Sequence, residues 1–243
     1  MKMEMRTGHD DTLCYPLRGI TIDPDRLVAD LNAVERGQWA SQERYQRGTT
    51  NWKGLCLYSV SGAADDLRCA SRPTRRTPAG ERCAYISDEL LPQFRAPLLR
   101  VAFYRLDAGT RIGEHCDYGQ NRSMGYVRVH VPVVTNDGVV MYLDGRSYRF
   151  RVGEAWYFDA SCRHRVENAG ADDRIHLIVD LVPTAALGAL LKPITSRDRL
   201  RFAAHRLAYY REVAATFARF VRTREGRERI RGRLGQLLAP PAG

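Results

Sequence analysis

Over residues 97–183 apolar and polar positions alternate in short runs broken by tight-turn signals. Leu98 to Leu106 is apolar and aromatic with arginines interleaved, and residues 126–134 alternate large apolar side chains with Arg128, His130 and Pro132. Asn136-Asp137-Gly138 reads as a hairpin turn into Val139–Leu143, Asp144-Gly145 as a second into residues 147–152, and Gly153-Glu154 as a turn into 155–158. Residues 174–182 form the last strand. Short strands at this spacing predict an antiparallel sandwich or barrel.

The flanks follow other periods. Asp23-Pro24-Asp25 ahead of Leu27, Leu31 and Val34 predicts a capped amphipathic helix. Residues 51–60, opening Asn51-Trp52-Lys53-Gly54, predict a strand, and residues 68–80, with Pro73 and Pro78 among four arginines, an exposed loop. Leu200, Ala204, Leu207, Tyr210, Ala214, Phe217 and Val221 recur at three- and four-residue intervals, which predicts a helix packed on the barrel with arginines turned to water. Ile230, Leu234, Leu237 and Leu238 extend it weakly, diluted by Gly226, Gly232 and Gly235. Three segments result: 1–95 supporting the barrel, 96–183 as its core, and 184–243 as an arginine-rich helical extension.

Composition narrows the setting. At 243 residues, with 44% hydrophobic and 27% charged residues, the chain suits one sizeable soluble core. No apolar run approaches the ~20 residues that span a bilayer. The start, MKMEMRTGHDD, has no apolar centre, so a cytoplasmic protein is expected. Six cysteines without a Cys-x-x-Cys pair are expected to be reduced. The net charge is +10; over residues 197–233 twelve arginines face four acids, 12 − 4 = +8. That excess suits a solvated helix face or an anionic partner such as an acidic peptide. No nucleic-acid motif accompanies it, and none is expected to bind.

Candidate chemistry centres on Gly113-Glu114-His115-Cys116-Asp117-Tyr118-Gly119. Residues two apart on a strand share a face, so His115 and Asp117 can offer an imidazole and a carboxylate to one ion. His164 is the candidate third ligand. Two histidines and a carboxylate leave positions open for a co-substrate and dioxygen, an arrangement suited to iron(II). Arg174, ten positions on, is a fixed guanidinium able to grip a dicarboxylate's far end.

His115-x-Asp117, Arg128-x-His130-x-Pro132, Gly153-Glu154-x-Trp156-x-Phe158-Asp159, His164-x-x-x-Asn168 and Arg174-x-x-Leu177-x-x-Asp180 stand in the order of one family. The stretch resembles the aspartyl/asparaginyl β-hydroxylases, iron(II)- and 2-oxoglutarate-dependent oxygenases on a double-stranded β-helix. The Trp52-Lys53 strand resembles their bacterial cis-proline hydroxylase branch. The resemblance implies a mainly β fold with added helices, its jelly-roll, cupin-like core followed by a helical C-terminal extension. It implies iron on His115, Asp117 and His164, and 2-oxoglutarate held by Arg174, Arg128, His130 and Tyr104. Dioxygen is the other co-substrate, ascorbate a supporting reductant, and hydroxylation of an amino acid, free or in a peptide, the default outcome. Candidate substrate contacts are Lys53, Arg105 and Arg122, with Arg100 beside them. Two other readings stand: a cupin-like metal oxygenase that does not use 2-oxoglutarate, and a non-enzymatic module binding through the arginine-rich helix.

Overall fold

The structure, a computed structural model, describes residues 12–34, 39–41, 51–69 and 74–224. Its strands are β1 (Cys14–Pro16), β2 (Ala40–Ser41), β3 (Trp52–Ser59), β4 (Arg75–Arg76), β5 (Leu98–Leu106), β6 (Arg111–His115), β7 (Val127–Val134), β8 (Val139–Leu143), β9 (Arg146–Tyr148), β10 (Trp156–Phe158), β11 (His164–Asn168) and β12 (Arg174–Leu181). The helices are α1 (Pro24–Val34), α2 (Pro78–Glu81), α3 (Ala185–Gly188) and α4 (Ser196–Arg222).

The strands form two sheets. The larger runs β1-β10-β7-β12-β5-β3-β2, with β4 on β3, and the smaller runs β6-β11-β8-β9. All ladders are antiparallel. This is the double-stranded β-helix, mainly β with added helices. Residues before position 95 contribute four strands to the larger sheet.

Strand alternation sorts the larger sheet into two buried faces. On β7 and β12, Val127, Val129, Val131, Leu177, Val179 and Leu181 join the cluster that takes in Leu27 and Leu31 of α1. Each such side chain contributes about 1.5–3 kcal/mol by leaving water. The opposite face carries Arg128, His130, Arg174, His176 and Asp180, at alternate positions of the same strands. This explains why both strands are buried almost throughout yet hold charged residues. Pro132 has no amide hydrogen to give the ladder, and the β7–β12 register slips beside it, between Ile175 and His176.

Local signals behave as expected at several points. Asp23 caps α1, its Oδ1 accepting from the amides of Asp25 and Arg26. Asp144 (φ 48°) and Gly145 (φ 78°) turn the β8–β9 hairpin.

Other expectations are corrected. The Asn136–Gly138 turn does not close a hairpin, because β7 and β8 belong to different sheets. Residues 68–80 are not all exposed loop: β4 pairs with β3, and Thr77 and Gly80 are buried. The apolar stripe of α4 does not pack on the barrel. Leu200, Leu207, Tyr210 and Phe217 are exposed, and only Asp198 and Phe202 of that helix are buried. The segment containing Ile230, Leu234, Leu237 and Leu238 lies outside the described residues. Among the described residues none of the six cysteines is in a disulfide, as expected. No helix among the described residues is long and apolar enough to cross a membrane.

Candidate active site

A cavity of about 520 Å³ opens between the two sheets. His115, the last residue of β6, and His164, the first of β11, face each other as Cα partners across the smaller sheet. The ladder slips between His164 and Val166, a bulge that re-aims the strand end beside the cavity. Their rings lie 4.1 Å apart, centre to centre. Asp117 follows β6 by two residues, anchored by its amide on the Ala160 carbonyl at 2.9 Å. Potential ligand atoms of His115, Asp117 and His164 lie within 4.8 Å of one another.

The surroundings orient these groups for a cation. Nδ1 of His115 pairs with the Gly113 carbonyl and Nδ1 of His164 with the Cys162 carbonyl, each at 2.8 Å. A carbonyl only accepts, so both rings donate from Nδ1 and leave Nε2 as the nitrogen available to the cluster. Burial and neighbouring His115 push the His164 pKa down to about 4, keeping it neutral near pH 7. Burial works to raise the Asp117 pKa, but Arg128 and the two imidazoles outweigh it and leave a carboxylate. Two imidazole nitrogens and one carboxylate are the donor set iron(II) takes.

A second group of polar atoms lies deeper. Arg174 is 2% exposed, donates from Nη2 to His176 Nδ1 at 2.7 Å, and has an Nε with no hydrogen-bond partner among the described residues. Both nitrogens of buried His130 and Nε2 of His176 also find no hydrogen-bond partner among the described residues. Burial lowers the pKa of Arg174 to about 9, and no carboxylate in the described structure offsets that burial. An unpaired cation in such a place costs several kcal/mol. The arrangement calls for an anion with acceptor oxygens. Tyr104 shares this face, opposite His176 in the β5–β12 register. Burial raises its pKa, so its hydroxyl keeps its proton.

The expected residues divide cleanly. His115, Asp117, His164, Arg174, Arg128, His130 and Tyr104 all line the cavity. Lys53, Arg105 and Arg122 do not. Arg105, one position from Tyr104, sits on the opposite strand face and pairs with Asp107 and Asp173, while Lys53 pairs with Asp107. Arg122 donates to the Lys192 carbonyl at 2.8 Å. Arg100 reaches the wall, but Asp180 holds it. The sequence reading missed His176, although its place two residues from Arg174 on one strand marked it. It also missed Cys69 and Gln120 at the cavity wall, which sit in loops without a periodic signal.

A jelly roll with two facing histidines and a carboxylate at one end defines a double-stranded β-helix protein with a candidate metal site. The chain belongs to the Aspartyl/Asparaginyl beta-hydroxylase family, whose profile it matches over residues 22–183. It is 24% identical over 186 residues to an L-proline cis-4-hydroxylase of Rhizobium meliloti (strain 1021), covering 74% of this chain and 66% of that protein. It is 25% identical over 167 residues to an L-proline cis-3-hydroxylase of a Streptomyces species, covering 67% of this chain and 58% of that protein. The chain thus spans somewhat under two thirds of each relative's length. Among solved structures, an oxidoreductase of the 2OG-Fe(II) oxygenase family from Burkholderia pseudomallei aligns with a TM-score of 0.48 at 16% identity, covering 69% of this chain and 82% of that one.

Proposed function

We propose that the protein is an iron(II)- and 2-oxoglutarate-dependent dioxygenase that hydroxylates an unactivated C–H bond of an amino acid, free or within a peptide. The observation that carries this reading is Arg174, a buried guanidinium without a carboxylate partner among the described residues, in the same cavity as the His115–Asp117–His164 cluster. A metal oxygenase without a dicarboxylate co-substrate has no use for that cation. The two proline hydroxylase relatives support an amino-acid substrate.

His115 Nε2, His164 Nε2 and a carboxylate oxygen of Asp117 would hold the metal. When bound, iron with 2-oxoglutarate and dioxygen supplies an oxidant for unactivated C–H bonds, with succinate and carbon dioxide as co-products. Arg174 would grip the distal carboxylate with the Tyr104 hydroxyl beside it, and His130 would donate at the metal-proximal end. Phe158, Met141 and Ile178 give the space an apolar lining that would disfavour water beside the reacting groups. The six free thiols suit a reducing compartment, the cytoplasm.

The test is succinate release by the purified protein with iron(II), ascorbate and 2-oxoglutarate, against a panel of free amino acids and short peptides. Stimulation by a panel member, lost in His164→Ala, is the expected result. An iron-loaded protein that releases no succinate, even uncoupled, would overturn the reading in favour of a 2-oxoglutarate-independent oxygenase.

A second surface supports a protein partner. Helix α4 exposes Leu207, Tyr210, Val213 and Phe217 among seven arginines and two acids, 7 − 2 = +5. That pairing of apolar stripe and positive flank suits an acidic amphipathic peptide. Binding of such a peptide, weakened by salt and by Phe217→Ser, is expected. Equal binding of a basic peptide would sink it.

A further inference from the structure

The sequence reading gave Arg128 to the co-substrate, but the structure spends its donors elsewhere. Nη1 donates to Asp117 Oδ2 at 2.7 Å, Nε to Asp180 Oδ1 at 2.8 Å, and Nη2 to the Tyr126 hydroxyl at 2.9 Å and Asp180 Oδ2 at 3.3 Å. Asp180 is fully buried and is gripped from its other side by Arg100, through Nε at 3.0 Å and Nη2 at 2.7 Å. Arg100, Asp180 and Arg128 sit at facing register positions on β5, β12 and β7, three adjacent strands. A chain of alternating charge therefore runs from Arg100 through Asp180 and Arg128 to Asp117.

We propose that Asp180 is a positioning residue for the metal centre, acting through Arg128 on Asp117, with Arg100 as its counter-cation. The inference rests on the metal reading above. A carboxylate beside a cation can bind through one oxygen or both, and binding through both closes a coordination position. Arg128 occupies Oδ2, so Asp117 presents its other oxygen alone. A guanidinium holds that angle only if its own plane is fixed, and the side-on pairing with Asp180 fixes it. Asp180 carries no other ion pair than these two arginines among the described residues. Its burial without them would be prohibitive, and theirs without it equally so.

The experiment is cobalt(II) titration of metal-stripped protein, read as dissociation constant and visible absorption spectrum. Asp180→Asn keeps the shape and removes the charge that fixes Arg128. It is expected to weaken cobalt about 10- to 100-fold, the range for partners of metal ligands, and to change the spectrum. The same substitution in an Asp117→Ala background should cost little further affinity, because Asp180 acts through Asp117. Equal losses in both backgrounds would make Asp180 merely structural and overturn the proposal. So would a folded Asp180→Asn protein with wild-type affinity and spectrum. If Asp180→Asn does not fold, Arg128→Lys, which keeps the charge but not the fork, is titrated in both backgrounds under the same criteria. A wild-type chain that binds no cobalt would instead overturn the metal reading.

Discussion

Arg174 donates from Nη2 to Nδ1 of His176 across 2.7 Å, with both side chains buried. A guanidinium has no acceptor, so His176 must accept at Nδ1 and carry its proton on Nε2. Burial and the adjacent arginine hold the His176 pKa well below the usual histidine range, which keeps that tautomer uncharged. The imidazole uses one guanidinium edge and leaves Nε for a ligand. Replacing Arg174 with Ala is expected to weaken 2-oxoglutarate binding by about 2–5 kcal/mol, the cost of losing one partner of a buried charged pair. The amino-acid KM should move far less. A 2-oxoglutarate dependence like that of the parent protein would remove the clamp from Arg174.

His164→Ala is expected to abolish turnover and weaken metal binding while the fold survives. The residue begins β11 at the cavity mouth, and its ring packs edge-on against Phe158. Removing it loses that contact, the contact with the His115 ring and the hydrogen bond to the Cys162 carbonyl, at a stability cost of about 1–3 kcal/mol. Metal titration beside circular dichroism checks both halves, and retained turnover would contradict the ligand assignment.

The pH dependence of co-substrate binding follows from Arg174. Burial without a carboxylate of the described residues beside it lowers its pKa to about 9. A bound carboxylate stabilises the charged form and raises that pKa. Below about pH 9 both states are charged, so affinity is flat. Above it the empty site gives up its proton and the occupied one does not, so affinity falls as pH rises. Calorimetric titration of 2-oxoglutarate into nickel-loaded protein across this range checks the sign. Affinity rising with pH would refute it.

Gly119→Ala probes the contact between the metal loop and α4. Gly119 has φ +87°, and a Cβ there would stand 3.2 Å from the Tyr209 ring. The left-handed backbone alone costs an L-residue about 1–2 kcal/mol, and the ring must also move. A lower melting temperature is expected, with metal affinity reduced because Asp117 lies two residues away. An unchanged melting temperature would show that α4 is not braced against this loop.

Much of this was legible in the chain because strand alternation carries both the fold and the site. Val129 and Val131 face the helices while Arg128 and His130 face the cavity, and the same two-residue period set His115 and Asp117 on one side. What stayed hidden depends on partners distant in sequence. Periodicity gives α4 an apolar face, and the expectation that the barrel covers it fails: Leu207 and Phe217 are exposed. Asn136-Asp137-Gly138 has hairpin chemistry, yet a turn cannot report which sheet the next strand joins. Arg105, Arg122 and Lys53 were plausible by charge alone. Their carboxylate and carbonyl partners, at Asp107, Asp173 and Lys192, appear only once the chain is folded.

The register that sets His115 opposite His164 gives a bound metal a second consequence, as a cross-link in the chain. The two residues are 164 − 115 = 49 positions apart. Tying them together removes the freedom of a closed loop of that length from the unfolded chain, much as a disulfide does. Such a clasp forms late. A growing chain has already exposed the first two ligands when the third is still unmade, so most of the jelly roll must be synthesised before the ion has a complete seat. Under the proposed function, iron supply and folding would thereby be coupled: a chain short of the metal would lack that clasp, and its stability as well as its activity would track iron.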